Sequence, residues 1–154
     1  MLSSIIICAL YVITYIFVYL AGKHNAAMDA VSDHYSTSIF STYNEPEWFD
    51  RTISWRNKYI DGDQSKGKKT IVRFGIKFYQ PDAFSDFWHY AKFKMLMSIS
   101  FGLVSFFIAS ILLGHYYPLK ISVAIILPFL YILFPLVFIK SFNYWYEKGF
   151  KKHS

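Results

Sequence analysis

One cysteine stands in 154 residues, Cys8, so no disulfide framework exists and the residue reads as a small apolar filler. The motifs of several common catalysts are missing too. There is no G-x-S-x-G turn for a serine nucleophile, no H-E-x-x-H helix, no redox C-x-x-C and no c-type haem attachment sequence. Gly62 to Lys68 satisfies G-x-x-x-x-G-K, but Lys69 stands where the magnesium-binding hydroxyl belongs, and no hydrophobic strand leads into the run. That segment reads as a charged tip, and Asp61-Gly62-Asp63 is too short for a calcium loop.

Charge is absent from three long windows, Leu2 to Leu20, Met95 to Leu113 and Ile121 to Ile139. Each is about 19 residues, enough for a helix to cross a hydrocarbon layer of ~30 Å. Much of the 55% hydrophobic and 21% aromatic content is concentrated there. No Lys or Arg precedes the first window and Ala21-Gly22-Lys23 offers no small-x-small cleavage pattern, which favours a retained anchor over a removed signal. The expected fold is an all-α membrane protein: three transmembrane helices with helical extensions and a long polar loop containing a short β element. Its parts are transmembrane helix 1 over 1–22, the loop over 23–92, transmembrane helix 2 over 93–114, transmembrane helix 3 over 119–140 and a basic tail over 141–154.

The net charge of +6 follows that topology and does not read as a nucleic-acid surface. Lys140, Lys148, Lys151 and Lys152 follow the last window, Lys92 and Lys94 precede the second and Lys23 follows the first, while Lys120 is alone between the second and third. The positive-inside tendency puts the loop and the C-terminus in the cytoplasm and the His115 to Lys120 turn outside.

Within the loop, Lys23 to Tyr35 continues the first helix, with Asn25, Asp29 and Asp33 on one face, and Ser41 to Pro46 breaks it. Trp48, Phe49, Ile53, Trp55 and Tyr59 form an aromatic segment, either lying along headgroups or making a small core. Thr70 to Tyr79 alternates as one amphipathic strand that needs a partner. After Pro81, Ser85 or Asp82 caps a helix that runs into the second window. There Ser98, Gly102, Ser105 and Ala109 make a small-residue stripe, a surface for a protein partner or a second copy. Ser4, Cys8, Tyr11, Tyr15 and Tyr19 make a more polar stripe on the first window, and Pro128 and Pro135 kink the third.

Two acid-histidine segments are the candidates for chemistry. Asp29 and His34 lie on the first helix extension, Asp86 and His89 three residues apart on the second. Side by side, these four would line an oxygen and imidazole site for a divalent transition metal such as zinc, iron or manganese, with His34, His89 and Asp86 as catalytic candidates. The competing reading is a salt-bridge network in which Lys23, Arg56, Lys58 or Lys92 neutralises the acids. Lys92 would extend the Asp86–His89 face, with Trp88 turned sideways toward headgroups.

Three stretches, N-A-A-M-D-A-V-S-D-H-Y-S-T-S-I-F (25–40), I-S-W-R-N-K-Y-I-D-G-D (53–63) and D-F-W-H (86–89), resemble an uncharacterised group of small bacterial membrane proteins. S-W-R-N-K-Y is the most specific of them, and the likeness covers the loop, not the spans. It implies that Asp29, His34, Trp55, Asn57, Lys58, Asp86 and His89 belong to one architecture, in a bacterial inner membrane, and it brings no activity. The chain departs from the group's pattern over Lys66 to Tyr79. The resulting expectation is an accessory or scaffolding subunit of a membrane assembly. Its rival is a membrane-interface enzyme acting on a lipid or phosphorylated amphiphile through a metal or a general base.

Overall fold

The computed structural model describes residues 2–114 and 132–143, most of them helical. Helix α1 spans Leu2–Asp33, and short 3-10 turns at Tyr35–Thr37 and Ile39–Thr42 follow it. Two single-turn helices come next, α2 (Pro46–Phe49) and α3 (Arg51–Ser54), then further 3-10 turns, strands β1 (Thr70–Arg73) and β2 (Ile76–Tyr79), and helix α4 (Phe87–Gly114). Helix α5 covers Ile132–Asn143. The chain divides into an apolar unit, Met1–His24 with Lys94–Ser141, and a polar unit, Asn25–Phe93 with Phe142–Ser154.

Two helices, Ser4–Asp33 and Phe87–Gly114, are long and apolar enough to cross a membrane. The third expected span falls largely outside the described residues, as do the His115 to Lys120 turn, Pro128, Lys120 and the basic tail beyond Asn143; α5 is its described part.

In the apolar unit the small-residue stripe of α4 is used inside the chain. A Cβ on Gly102 would stand 3.2 Å from the Phe17 Cβ and 3.8 Å from the Thr14 carbonyl of α1. Ser98 and Ala109 are buried, and Phe17 stacks on Phe101 at 5.5 Å. Gly22 makes the matching approach to α5, where a Cβ would meet the Phe134 carbonyl and Val137 at 3.1 Å. The stripe expected to receive a partner therefore seats α1 of the same chain, because small residues let backbones approach whatever helix is nearest. Hydroxyls in these helices turn back on their own carbonyls: Thr14 donates to Leu10, Ser98 to Lys94 and Ser105 to Phe101. That satisfies each without a partner helix. On the polar stripe of α1, the Tyr11 hydroxyl is buried and finds no acceptor among the described residues.

The polar unit has a small core of its own. The α1 extension buries Ala26, Ala27, Ala30 and Val31, and Phe40 packs on that face. Rings of Phe40, Tyr43, Phe49 and Phe87 close over it at centroid distances of 4.8–6.2 Å. Phe49 belongs to this core, so the aromatic segment serves the loop's interior there, although Trp55 stays exposed.

The single strand expected over Thr70 to Tyr79 is a hairpin. β1 and β2 pair antiparallel with Ile71 opposite Phe78 and Arg73 opposite Ile76, so the partner strand lies inside the same stretch. The two turn residues, Phe74 and Gly75, have φ of 53° and 75°. Such a turn matches the ribbon's twist but favours Asn-Gly, and a bulky side chain there is strained. Phe74→Asn is expected to steady the ribbon by about 1 kcal/mol, read as slower amide exchange across Thr70–Tyr79.

Candidate functional site

Asp86 directly precedes α4 and caps it. Its Oδ1 accepts the His89 backbone N–H at 2.9 Å, the bond between an N-cap side chain and the third helical residue. Neither Ser85 nor Asp82 caps α4; each belongs instead to the preceding turn, where the Ser85 hydroxyl donates to the Asp82 carbonyl. Capping draws the carboxylate inward, to 3% exposure. The same group receives the imidazole, with His89 Nδ1 at 2.7 Å from Oδ2.

The other ring nitrogen faces a cation. Lys58 Nζ lies 3.1 Å from His89 Nε2 and 3.5 Å from Asp82 Oδ2. An ammonium only donates, so Nε2 accepts and the ring proton sits on Nδ1, directed at Asp86. Lys68 Nζ completes the cluster 4.0 Å from Asp82 Oδ1. Two carboxylates thus face two ammonium groups around the imidazole.

Backbone pairing explains how Lys58 arrives there. The Lys69 N–H donates to the Lys58 carbonyl and the Gln80 N–H to the Lys69 carbonyl, both at 2.9 Å. These two bonds set residue 58 beside residue 80, two short of Asp82. The rest of S-W-R-N-K-Y is fixed locally. Ser54 is buried, the Trp55 indole donates to the Thr52 carbonyl at 3.0 Å, and the Asn57 amide donates to the Glu47 carbonyl at 2.7 Å.

Beside the cluster lies a cavity of about 180 Å³ lined by Arg51, Ser54, Trp55, Lys58, Asp86, Trp88 and His89. Arg51 and Lys92 lie 4.9 and 5.0 Å from the Trp88 ring, cation–π contacts that hold the indole within the unit. Lys92 therefore does not extend the Asp86–His89 face; Lys58, thirty-one residues away in sequence, is the counter-ion.

Asp29 and His34 are not gathered with this pair. Asp29 and Asp33 are exposed, because the alanines of α1 take the inward face, and the His34 ring packs edge-on to Phe142 at 5.3 Å. Among the described residues no three His, Cys, Asp or Glu side chains come together to hold a metal ion. The four-ligand centre of Asp29, His34, Asp86 and His89 is not formed. Elsewhere in the unit, hydrogen bonds from the Ser65 hydroxyl and backbone hold the Asp63 carboxyl below its ordinary range, and burial followed by the Asp50 charge raises the Tyr35 phenol.

Sequence reasoning reached Asp86, His89 and Lys58 but missed Asp82, Lys68 and Arg51. For Asp82 the available signal was its place after Pro81, which marked it as a candidate helix cap and not as a partner of Lys58.

Fold and site together define a helical protein with two helices of membrane-crossing length and a polar unit organised by a capped Asp–His pair. No protein family, curated protein or solved structure matches the chain.

Proposed function

We propose that this chain is a polytopic membrane protein and an accessory or scaffolding subunit of a membrane assembly, with the bacterial inner membrane as its site and the polar unit on the cytoplasmic side. The membrane part draws on the two long helices. Only 22% and 28% of their most apolar windows are buried by protein. Ile5, Val12 and Ile16 of α1, with Leu103, Phe107 and Ile111 of α4, are among the large apolar side chains left uncovered, more than water tolerates on a monomer.

One observation carries the scaffolding part: the Asp82–Asp86–His89–Lys58 cluster satisfies itself. A general base needs an accessible lone pair, and His89 Nε2 already receives the Lys58 ammonium. The cluster ties the Trp55–Lys58 turn, the Asp82 turn and the start of α4 together, which is structural duty. The rival enzyme has one support, the cavity in which Arg51 and Lys58 lie near His89, and it requires Lys58 to swing away.

Native mass spectrometry of the full chain, released from its own membranes after mild crosslinking, tests the proposal. A discrete complex of fixed stoichiometry is expected. A monomer carrying a stoichiometric transition metal would favour the enzyme, and a bare monomer would end the scaffolding reading.

A further inference from the structure

The hairpin is bare on both faces. Every residue of β1 and β2 is exposed, and Phe74 at the apex is 99% exposed. A two-stranded ribbon with nothing packed on it is marginal in water, so this one is suited to being covered. Its charge says by what. From Gln64 to Gln80 there are five cations, Lys66, Lys68, Lys69, Arg73 and Lys77, and no acid. Asp61 binds Lys66 and Asp82 approaches Lys68, but among the described residues Lys69, Arg73 and Lys77 enter no ion pair.

The order along the ribbon matters as much as the sum. Phe74 leads, with Val72 and Ile76 close behind it. Arg73 and Lys77 come within one to three residues of that tip, and Lys68 and Lys69 stand at the base. An apolar apex followed by a cationic collar matches the order met on entering an anionic bilayer edgewise: acyl boundary inside, phosphates around it. A second copy fits worse, since edge-to-edge pairing of two such ribbons would crowd like charges together. A nucleic-acid duplex would offer phosphates to the cations but no acyl layer for Phe74, Val72 and Ile76 to enter.

The geometry points to the Thr70–Tyr79 hairpin as a docking element for a bilayer surface bearing anionic headgroups, with Phe74 entering the acyl boundary and Arg73 and Lys77 at phosphate level. This rests on the membrane part of the proposed function and requires no partner protein.

The test uses the full chain with Cys8→Ser and Val72→Cys, the new thiol carrying a polarity-sensitive fluorophore, reconstituted in phosphatidylcholine with or without phosphatidylglycerol. A blue shift is expected only with phosphatidylglycerol and should vanish in molar salt. Reversing Arg73 and Lys77 to Glu should cut the inserted-to-aqueous ratio about fivefold or more per residue. Phe74→Asn suits the turn better than Phe, so its expected loss of the shift does not come from an unfolded ribbon. Aqueous emission in both lipids would overturn the inference. So would a shift that follows protein density in phosphatidylcholine, the mark of a second copy, or one produced by a soluble polyanion without phosphatidylglycerol. Alkaline carbonate extraction of the same samples reports separately whether the chain is embedded, so failure of the membrane reading and failure of the hairpin are told apart.

Discussion

Asp86→Ala is expected to destabilise the polar unit by about 3 kcal/mol, the largest effect of any single polar substitution in the cluster. Two losses combine. The first turn of α4 loses its cap, which by itself costs about 1 kcal/mol. The imidazole loses the acceptor for its Nδ1 proton, and a half-buried donor left unpaired costs about 1–3 kcal/mol more. Asp86→Asn keeps a capping oxygen and an acceptor for the ring, so it should lose about half as much. Trp48, Trp55 and Trp88 all lie in this unit, which makes denaturant unfolding followed by tryptophan fluorescence a direct readout. Equal stability of the Ala variant and the parent would remove the cluster from its structural role.

The second large effect belongs to the apolar unit. Gly22→Leu and Gly102→Leu are each expected to cost about 2–3 kcal/mol, because both glycines sit where helices approach too closely for a longer side chain. The alanine variants should separate the two sites. At Gly102 a new Cβ would meet one atom closely, the Phe17 Cβ at 3.2 Å, and the next, the Thr14 carbonyl at 3.8 Å, is at ordinary contact distance. At Gly22 it would meet the Phe134 backbone carbonyl, together with the branched Val137, and neither yields without moving α5. Gly22→Ala should therefore lower the thermal midpoint in detergent more than Gly102→Ala. The reverse order would mean that α5 does not pack on α1 in the way described.

What was legible in the sequence had a local cause. Charge-free windows marked α1 and α4 because length and composition suffice for that reading. Asp86 and His89 were found as a pair because they are three residues apart, and Lys58 stood among four possible counter-ions. The hairpin was read as one strand for a physical reason. Val72, Phe74, Ile76 and Phe78 alternate in the sequence as one face of a single strand would, and Phe-Gly lacks the Asn-Gly signature of a turn; the turn itself reverses the parity, setting Val72 opposite Lys77 and Arg73 opposite Ile76. The metal centre failed on helix phase. Asp29 and Asp33 share a face, but Ala26, Ala27 and Ala30 compete for the inward side and win, since burying carboxylates costs far more. The stripe on α4 was seen correctly as a place of close approach, while small residues carry no information on which helix approaches.

The paired backbone at Lys58, Lys69 and Gln80 also bears on how the chain assembles as it is made. A hairpin closes in about 1–10 μs, whereas synthesis adds about 5–20 residues each second, so the ribbon can form as soon as Tyr79 is free of the ribosome. Once closed, it turns the long stretch between Lys58 and Asp82 into an effective gap of a few residues. By the logarithmic dependence of loop entropy on length, that saves on the order of 1–2 kcal/mol at the later step, when His89 emerges and must find its lysine. The ribbon is a folding shortcut: it converts the Lys58–His89 contact, thirty-one residues apart in sequence, into a nearly local one before the residue it waits for has been translated.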